Sequence, residues 1–231
     1  MELKADFHIH TKYSYEPRIL KIFGAARARY GPEAVFKRAK KVGLDVITIT
    51  EHDTMRSADM ASKIAKKYRD IIYLKGEEIT TTKGHLLGLG IEEEIPKGIS
   101  PEEAVDNIRE QGGVSIAPHP FSPYGLKHLI FKLPLDGMEV LNIWGTAFRS
   151  NRRAQMAFLK LDLAEIGASD AHSLSMIGKM YTRVEVKEMT TDAVLRAIKK
   201  KQTEAFSDLT IPDFFKALFL GVGNTFISWK K

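Results

Sequence analysis

Short apolar runs rich in β-branched residues alternate with amphipathic helical segments along most of this 231-residue chain. That alternation constrains the fold more than any other feature. Residues 45–50, Asp-Val-Ile-Thr-Ile-Thr, form the clearest run, as a strand buried on both faces requires. Residues 5–10, 71–79, 85–91, 114–117, 137–141, 164–168, 182–186 and 204–207 read as further strands. Helices are expected at 32–42, 101 to about 111, 150–160 and 191–200. The first carries Pro32 in its first turn and stops before Gly43. Ser100-Pro101-Glu102-Glu103 reads as a capping box, and Gly112-Gly113 ends that helix. Strands alternating with helices imply a parallel sheet, closed or open. A barrel is the better expectation, because chemistry-bearing residues end many strands rather than meeting at one switch point.

Composition narrows the classes. With 44% hydrophobic residues the chain can bury one sizeable core, and a single barrel over residues 1–231 is expected. No apolar run approaches the roughly 20 residues that span a bilayer, so no membrane partner is expected. The start, Met1-Glu2-Leu3-Lys4-Ala5-Asp6, lacks the apolar core of a signal peptide, so a cytoplasmic location is the expectation. The absence of cysteine excludes disulfides, thiolate metal sites and Cys nucleophiles. A formal charge of +6 and a pI near 9.3 suit an anionic substrate, a phosphate ester or nucleic acid. They equally suit a solvated Lys-rich surface.

Of seven histidines, five end or follow an expected strand: His8, His10, His52, His119 and His172. His85 opens a strand after a tight turn, whereas His128 falls in an amphipathic stretch and is not expected to be a ligand. Carboxylates accompany them: Glu51 and Asp53 flank His52, Glu77 and Glu78 end a strand, Asp170 lies two before His172, and Glu16 six past His10. On a strand, His8 and His10 share a face because side chains repeat every second residue. Imidazole and carboxylate together suit Zn²⁺, Mn²⁺ or Fe.

His8-Ile9-His10-Thr11, Glu51-His52-Asp53-Thr54, Gly76-Glu77-Glu78-Ile79, Ala117-Pro118-His119-Pro120 and Ser169-Asp170-Ala171-His172 resemble, in order and spacing, the motif series of the PHP (polymerase and histidinol phosphatase) superfamily. The resemblance covers residues 1 to about 210. It implies a distorted (β/α)7 TIM-like barrel holding two or three divalent metals, and hydrolysis of phosphoesters. By position, His8 and His10 would bind one metal with Asp170 and Glu78. Glu78 would bridge to a second metal bound by His119 and His85. His52 and His172, with Glu16, would hold a third. Asn142 matches a family Asn at the end of its strand. Two departures stand out: Glu51 occupies a position where the family usually has Asp, and Ser14 is followed by Tyr15 rather than Asp.

In such a site two cations would neutralise the phosphoryl oxygens and lower the pKa of bound water toward ~7, so that hydroxide attacks phosphorus without a protein nucleophile. Asp53, Glu51 or His172 could serve the leaving group, and Arg149, beside Arg152 and Arg153, could grip the phosphoryl oxygens. Residues 17–30, with Arg18, Lys21, Arg27 and Arg29, read as a basic lid or an outer helix. Residues 211–231 read as an apolar extension packed on the barrel or on a second copy. The expected substrate is a small phosphomonoester or nucleotide. Alternatives are histidinol phosphate, a nucleic-acid 3′ end, the carbonyl of an amidohydrolase substrate and, without catalysis, RNA bound by a ribonuclease P-like subunit.

Overall fold

The structure, a computed structural model, describes residues 1–14, 28–144 and 150–210. The expected lid other than residues 28–30, and the apolar extension, lie outside these. Strand β1 (Glu2–Ile9) leads to α1 (Pro32–Lys41), β2 (Val46–His52), α2 (Ala58–Ala65) and the hairpin β3 (Ile72–Thr81) and β4 (Gly84–Leu89). Then come α3 (Pro101–Glu110), β5 (Val114–Ala117), a 3₁₀ helix (Lys127–Phe131), β6 (Gly137–Asn142), α4 (Ser150–Phe158), β7 (Ala164–Ala168), β8 (Met180–Glu185), α5 (Thr191–Lys199) and β9 (Thr203–Ser207). No helix among the described residues is long and apolar enough to cross a membrane.

The strands form one nearly closed, barrel-shaped sheet in the order β7-β6-β5-β4-β3-β2-β1-β8-β9. The expectation of a parallel sheet needs correction: β4 runs against β3 and β5, and β8 runs against β1 and β9. Only Thr82 and Lys83 separate β3 from β4, and so short a connection cannot cross over to a parallel neighbour. The other seven strands share one direction.

Closure between β7 and the β1–β8 side runs through a short seam. Ile9 bridges Ala171, with His10 N donating to Ala171 O at 3.1 Å. Below it, Thr182 Oγ1 accepts from Gly167 N at 3.0 Å and donates to Gly167 O at 2.8 Å, a side chain standing in for a ladder partner. A Cβ at Gly167 would lie 2.5 Å from Tyr181 O, so this approach requires glycine.

The barrel's lower interior is filled by Leu3, Ala5, Phe7, Val46, Leu74, Leu87, Leu89, Val114 and Ile116. Ala193, Val194, Ala197 and Ile198 of α5 join this interior cluster, whereas α1 and α3 lie outside, burying Val35, Phe36 and Ala39 of α1 and Ala104, Val105 and Ile108 of α3. Helix α3 starts with the forward half of the expected box, Ser100 Oγ accepting from Glu103 N at 3.2 Å.

Candidate metal centre

Strand alternation carries apolar positions below into polar positions above. On β2 the sequence Val46, Thr48, Thr50, His52 shares one face, paired in register with Ile72, Leu74, Gly76 and Glu78 of β3. On β4, Leu89 and Leu87 lead up to His85. Two strands break this parity. The register of β1 shifts between Asp6 and Ile9, so Phe7 fills the core while His8 next to it also points inward. The register of β6 shifts between Glu139 and Leu141, so Glu139 and Asn142 both reach the interior. Bulges of this kind re-aim side chains at barrel rims.

Glu78 is the hub. Its Oε2 lies 3.1 Å from His8 Nε2, 3.2 Å from His10 Nε2 and 3.1 Å from His52 Nδ1. Its Oε1 lies 2.8 Å from His85 Nδ1 and 3.0 Å from His119 Nε2. Asp170, held at φ 49°, places Oδ1 3.1 Å from His10 Nε2 and 3.7 Å from His172 Nδ1. All of these side chains are buried or nearly so.

A second layer fixes the rings. His8 Nδ1 sits 2.8 Å from Glu139 Oε1, while Glu139 Oε2 accepts from His119 N and Asn142 Nδ2, each at 2.7 Å. Asn142 Nδ2 also donates to Asp170 Oδ2 at 3.3 Å. Ser14 Oγ meets His10 Nδ1 at 3.2 Å and accepts from His52 N at 2.9 Å, and Ser122 Oγ meets His119 Nδ1 at 2.9 Å. Glu139 was missed from sequence; its one signal is an acid in the middle of an apolar strand.

The electrostatics are those of crowded imidazoles around two anions. Burial favours neutral Glu78, but His52, His8 and His85 outweigh it and hold its carboxyl well below the usual range. Burial likewise opposes the charge on Asp170, and His8 and His10 hold it low. Burial also works against a charge on His8 and His10, yet Asp170 and Glu78 raise both, His10 to about 9. For His52 burial wins over Glu78, and the neighbouring His10, His85 and His172 add to it, so its pKa falls well below normal. Burial and His10 bring His172 down to about 4.

The donor set fits divalent cations. His8 Nε2 and His10 Nε2 face each other at 3.0 Å, and the His10 and His52 rings stack at 4.6 Å. Ring nitrogens so placed offer more lone pairs than protons can satisfy. Four triplets bring ligand atoms within 4.8 Å of one another: His8–Glu78–His119, His8–His10–Asp170, His52–Glu78–His85 and His10–His52–His172. Nitrogen and carboxylate oxygen without sulfur suit Zn²⁺, Mn²⁺ or Fe.

The structure thus brings together His8, His10, His52, Glu78, His85, His119, Asp170 and His172. Glu51 faces elsewhere: it accepts from Thr11 N at 2.8 Å and Ser57 Oγ at 3.0 Å, and also from the Thr11 hydroxyl. It ties the turn after His10 to the start of α2. Asp53, at φ 51°, accepts from Thr80 N at 2.7 Å and thereby braces β3 just past Glu78. Glu16 and Arg149 lie outside the described residues. His128 is exposed on the 3₁₀ helix, away from the cluster.

Comparison with known proteins agrees with this fold. A family model described as PHP-associated matches residues 148–203. An uncharacterized protein of Methanocaldococcus jannaschii is 44% identical over 144 residues, covering 62% of this chain and 83% of that protein. Among solved structures, a two-domain protein from Bacteroides vulgatus containing a predicted PHP-like metal-dependent phosphoesterase superposes with a TM-score of 0.71 at 23% identity, over 95% of this chain and 69% of that one. The lesion-specific endonuclease of Pyrococcus furiosus superposes with a TM-score of 0.62 at 20% identity, over 87% of this chain and 56% of that one. With these relatives and a buried histidine–carboxylate cluster at the rim of its barrel, the chain belongs to the PHP superfamily.

Proposed function

We propose that this protein hydrolyses phosphate esters with two or three divalent cations held at the cluster. The observation that carries this reading is Glu78, a single buried carboxylate whose two oxygens face two separate sets of histidines. That is the chemistry of a bridge between cations. His8, His10 and Asp170 would complete one position, His119 and His85 a second, and His52 with His172, joined by Glu16, a third. Bound there, divalent cations neutralise phosphoryl oxygens and lower the pKa of water.

The chain's own residues prepare the site. Glu139 accepts a hydrogen bond from Nδ1–H of His8, a tautomer that leaves the Nε2 lone pair directed at Glu78 and Asp170. Ser14 and Ser122 orient His10 and His119 in the same way. Glu51 and Asp53 act by holding the turn after His10 and the strand carrying Glu78. Arg149 is the proposed grip on the phosphoryl oxygens, and His172, which burial and His10 keep neutral near pH 7, offers a ring lone pair to the third position at the rim.

The test is hydrolysis of an aryl phosphomonoester and an aryl phosphodiester with added Mn²⁺, Zn²⁺ or Mg²⁺. Metal-dependent turnover that disappears in His10→Ala and His119→Ala is expected. No turnover with any ion would reject the reading.

A further inference from the structure

A groove of about 750 Å³ opens between the 3₁₀ helix and α4. Its cations are Lys127, Arg152, Arg153 and Lys160, its apolar surface is chiefly Phe121, Phe131 and Met156, and no carboxylate lines it. Phe131 and Met156 are 49% and 56% exposed, unusual for side chains of their size on this surface. Among the described residues none of the four cations makes an ion pair. Some surface cations elsewhere are paired, as in Lys4–Asp208, Lys40–Asp70, Lys75–Glu92 and Arg196–Glu188, so what marks the groove is its cations together with exposed apolar rings and no acid. Unpaired positive charge beside exposed aromatic rings is the pattern that tracks a phosphate backbone while stacking its bases.

Both walls of the groove are tied to the metal centre. Phe121 lies two residues past His119, and Lys127 N donates to Pro120 O at 2.8 Å. On the other wall, Asn151 Oδ1 accepts from Asn142 N at 3.1 Å, and Asn142 in turn holds Asp170. Arg152 and Arg153 sit in the first turns of α4, and Lys160 lies just past its end. At ~1.5 Å per residue these positions span about 12 Å, the length of about three or four stacked nucleotides at ~3.4 Å each.

We infer that this groove binds a single-stranded nucleic-acid segment and leads its end or a phosphodiester into the metal centre. The inference rests on the phosphoesterase reading for cleavage, but not for binding. It moves the substrate class from small phosphomonoesters toward single-stranded DNA or RNA.

The experiment uses the full chain and a fluorescein-labelled 12-nucleotide single strand, read by fluorescence anisotropy across a salt series. Two variants of equal charge change are compared with the wild type. One is Lys127→Glu with Arg153→Glu and Lys160→Glu in the groove. The other is Lys63→Glu with Lys66→Glu and Lys67→Glu, exposed residues in and just after α2. The groove triple should weaken binding at least tenfold and reduce the salt slope by about two, at ~0.7 per lost phosphate contact on a single strand. The α2 triple should change Kd less than about twofold, and Phe131→Ala should weaken binding about fivefold or more by removing a stacking surface. Equal losses in both triples, or wild-type binding to anionic phospholipid vesicles but not to the strand, would overturn the groove. Hydrolysis of a small aryl phosphodiester by the wild type separates the two readings. Turnover without strand binding rejects the groove and keeps the hydrolase, and strand binding without turnover does the reverse.

Discussion

The barrel interior has two halves built by the same strands. Below, Leu74, Leu87, Leu89 and Phe7 close the core with apolar side chains. Above, Glu78, His85 and His8 lie further along the inward faces of those strands, Glu78 beyond Gly76, crowded so that each imidazole faces another or a carboxylate. Between them β3 is packed tightly against its neighbours: a Cβ at Gly76 would lie 2.6 Å from Thr48 Cγ2 and 2.7 Å from Gly88 O. The lower half draws its stability from area removed from water. The upper half gives up that packing for imidazoles and carboxylates that pair with one another and could hold cations. Fold and chemistry are thus separable along these strands, within four residues of one another.

If that separation is real, substitutions in the two halves should give different readouts. Glu78→Gln should have the largest effect, lowering metal-dependent turnover by about a thousandfold or more, while the melting temperature of metal-free protein falls only modestly through loss of the charge that the histidines favour. A large drop in that temperature would mean Glu78 is part of the scaffold. Phe7→Ala is the opposite probe. It should cost about 3–5 kcal/mol in denaturant unfolding, yet metal content under native conditions should stay at the wild-type level. An emptied site in folded Phe7→Ala would show that the halves are coupled.

Glu139→Gln sharpens the comparison within the upper half. It keeps the size of the group but removes the charge that orients His8 and braces the His119 backbone. Metal affinity, measured by chelator competition, should fall about 10- to 100-fold with little change in fold. The smallest effect is expected outside the barrel, at Glu165 on β7. Burial, and then Glu204 nearby, raise its pKa above the ordinary 4.5. A carboxyl raised in the folded state holds its full stability below its unfolded pKa and loses it as pH rises through the folded value. Glu165→Gln should therefore match the wild type below about pH 4.5 and exceed it at neutral pH, by less than about 1 kcal/mol. A gain that persists at low pH would contradict the cause.

Much of this was legible in the sequence, for physical reasons. Strand-end motifs such as His8-Ile9-His10 and Ser169-Asp170-Ala171-His172 combine an apolar run with polar residues where the strand leaves the core, so position and chemistry are read together. Strand direction was not legible in the same way, because the apolar pattern of residues 85–91 is the same in either orientation; only the two-residue Thr82-Lys83 turn betrays it. Nor was the reach of Glu139. Its inward aim depends on a register shift in β6 that no local pattern encodes. The groove beside α4 was equally hidden, since Lys127 and Arg153 lie far apart in sequence and only the loops around His119 and Asn142 bring them to one rim.

The proposed role of Glu78 is to gather its histidines around cations. Elemental analysis of the purified wild type and of Glu78→Gln tests it most directly. Two or more divalent metals per chain in the wild type, falling below one in a folded Glu78→Gln variant, is the predicted result. A wild type with less than one metal per chain after incubation with Mn²⁺, Zn²⁺ or Fe²⁺, or a Glu78→Gln variant that keeps its full complement, would contradict it.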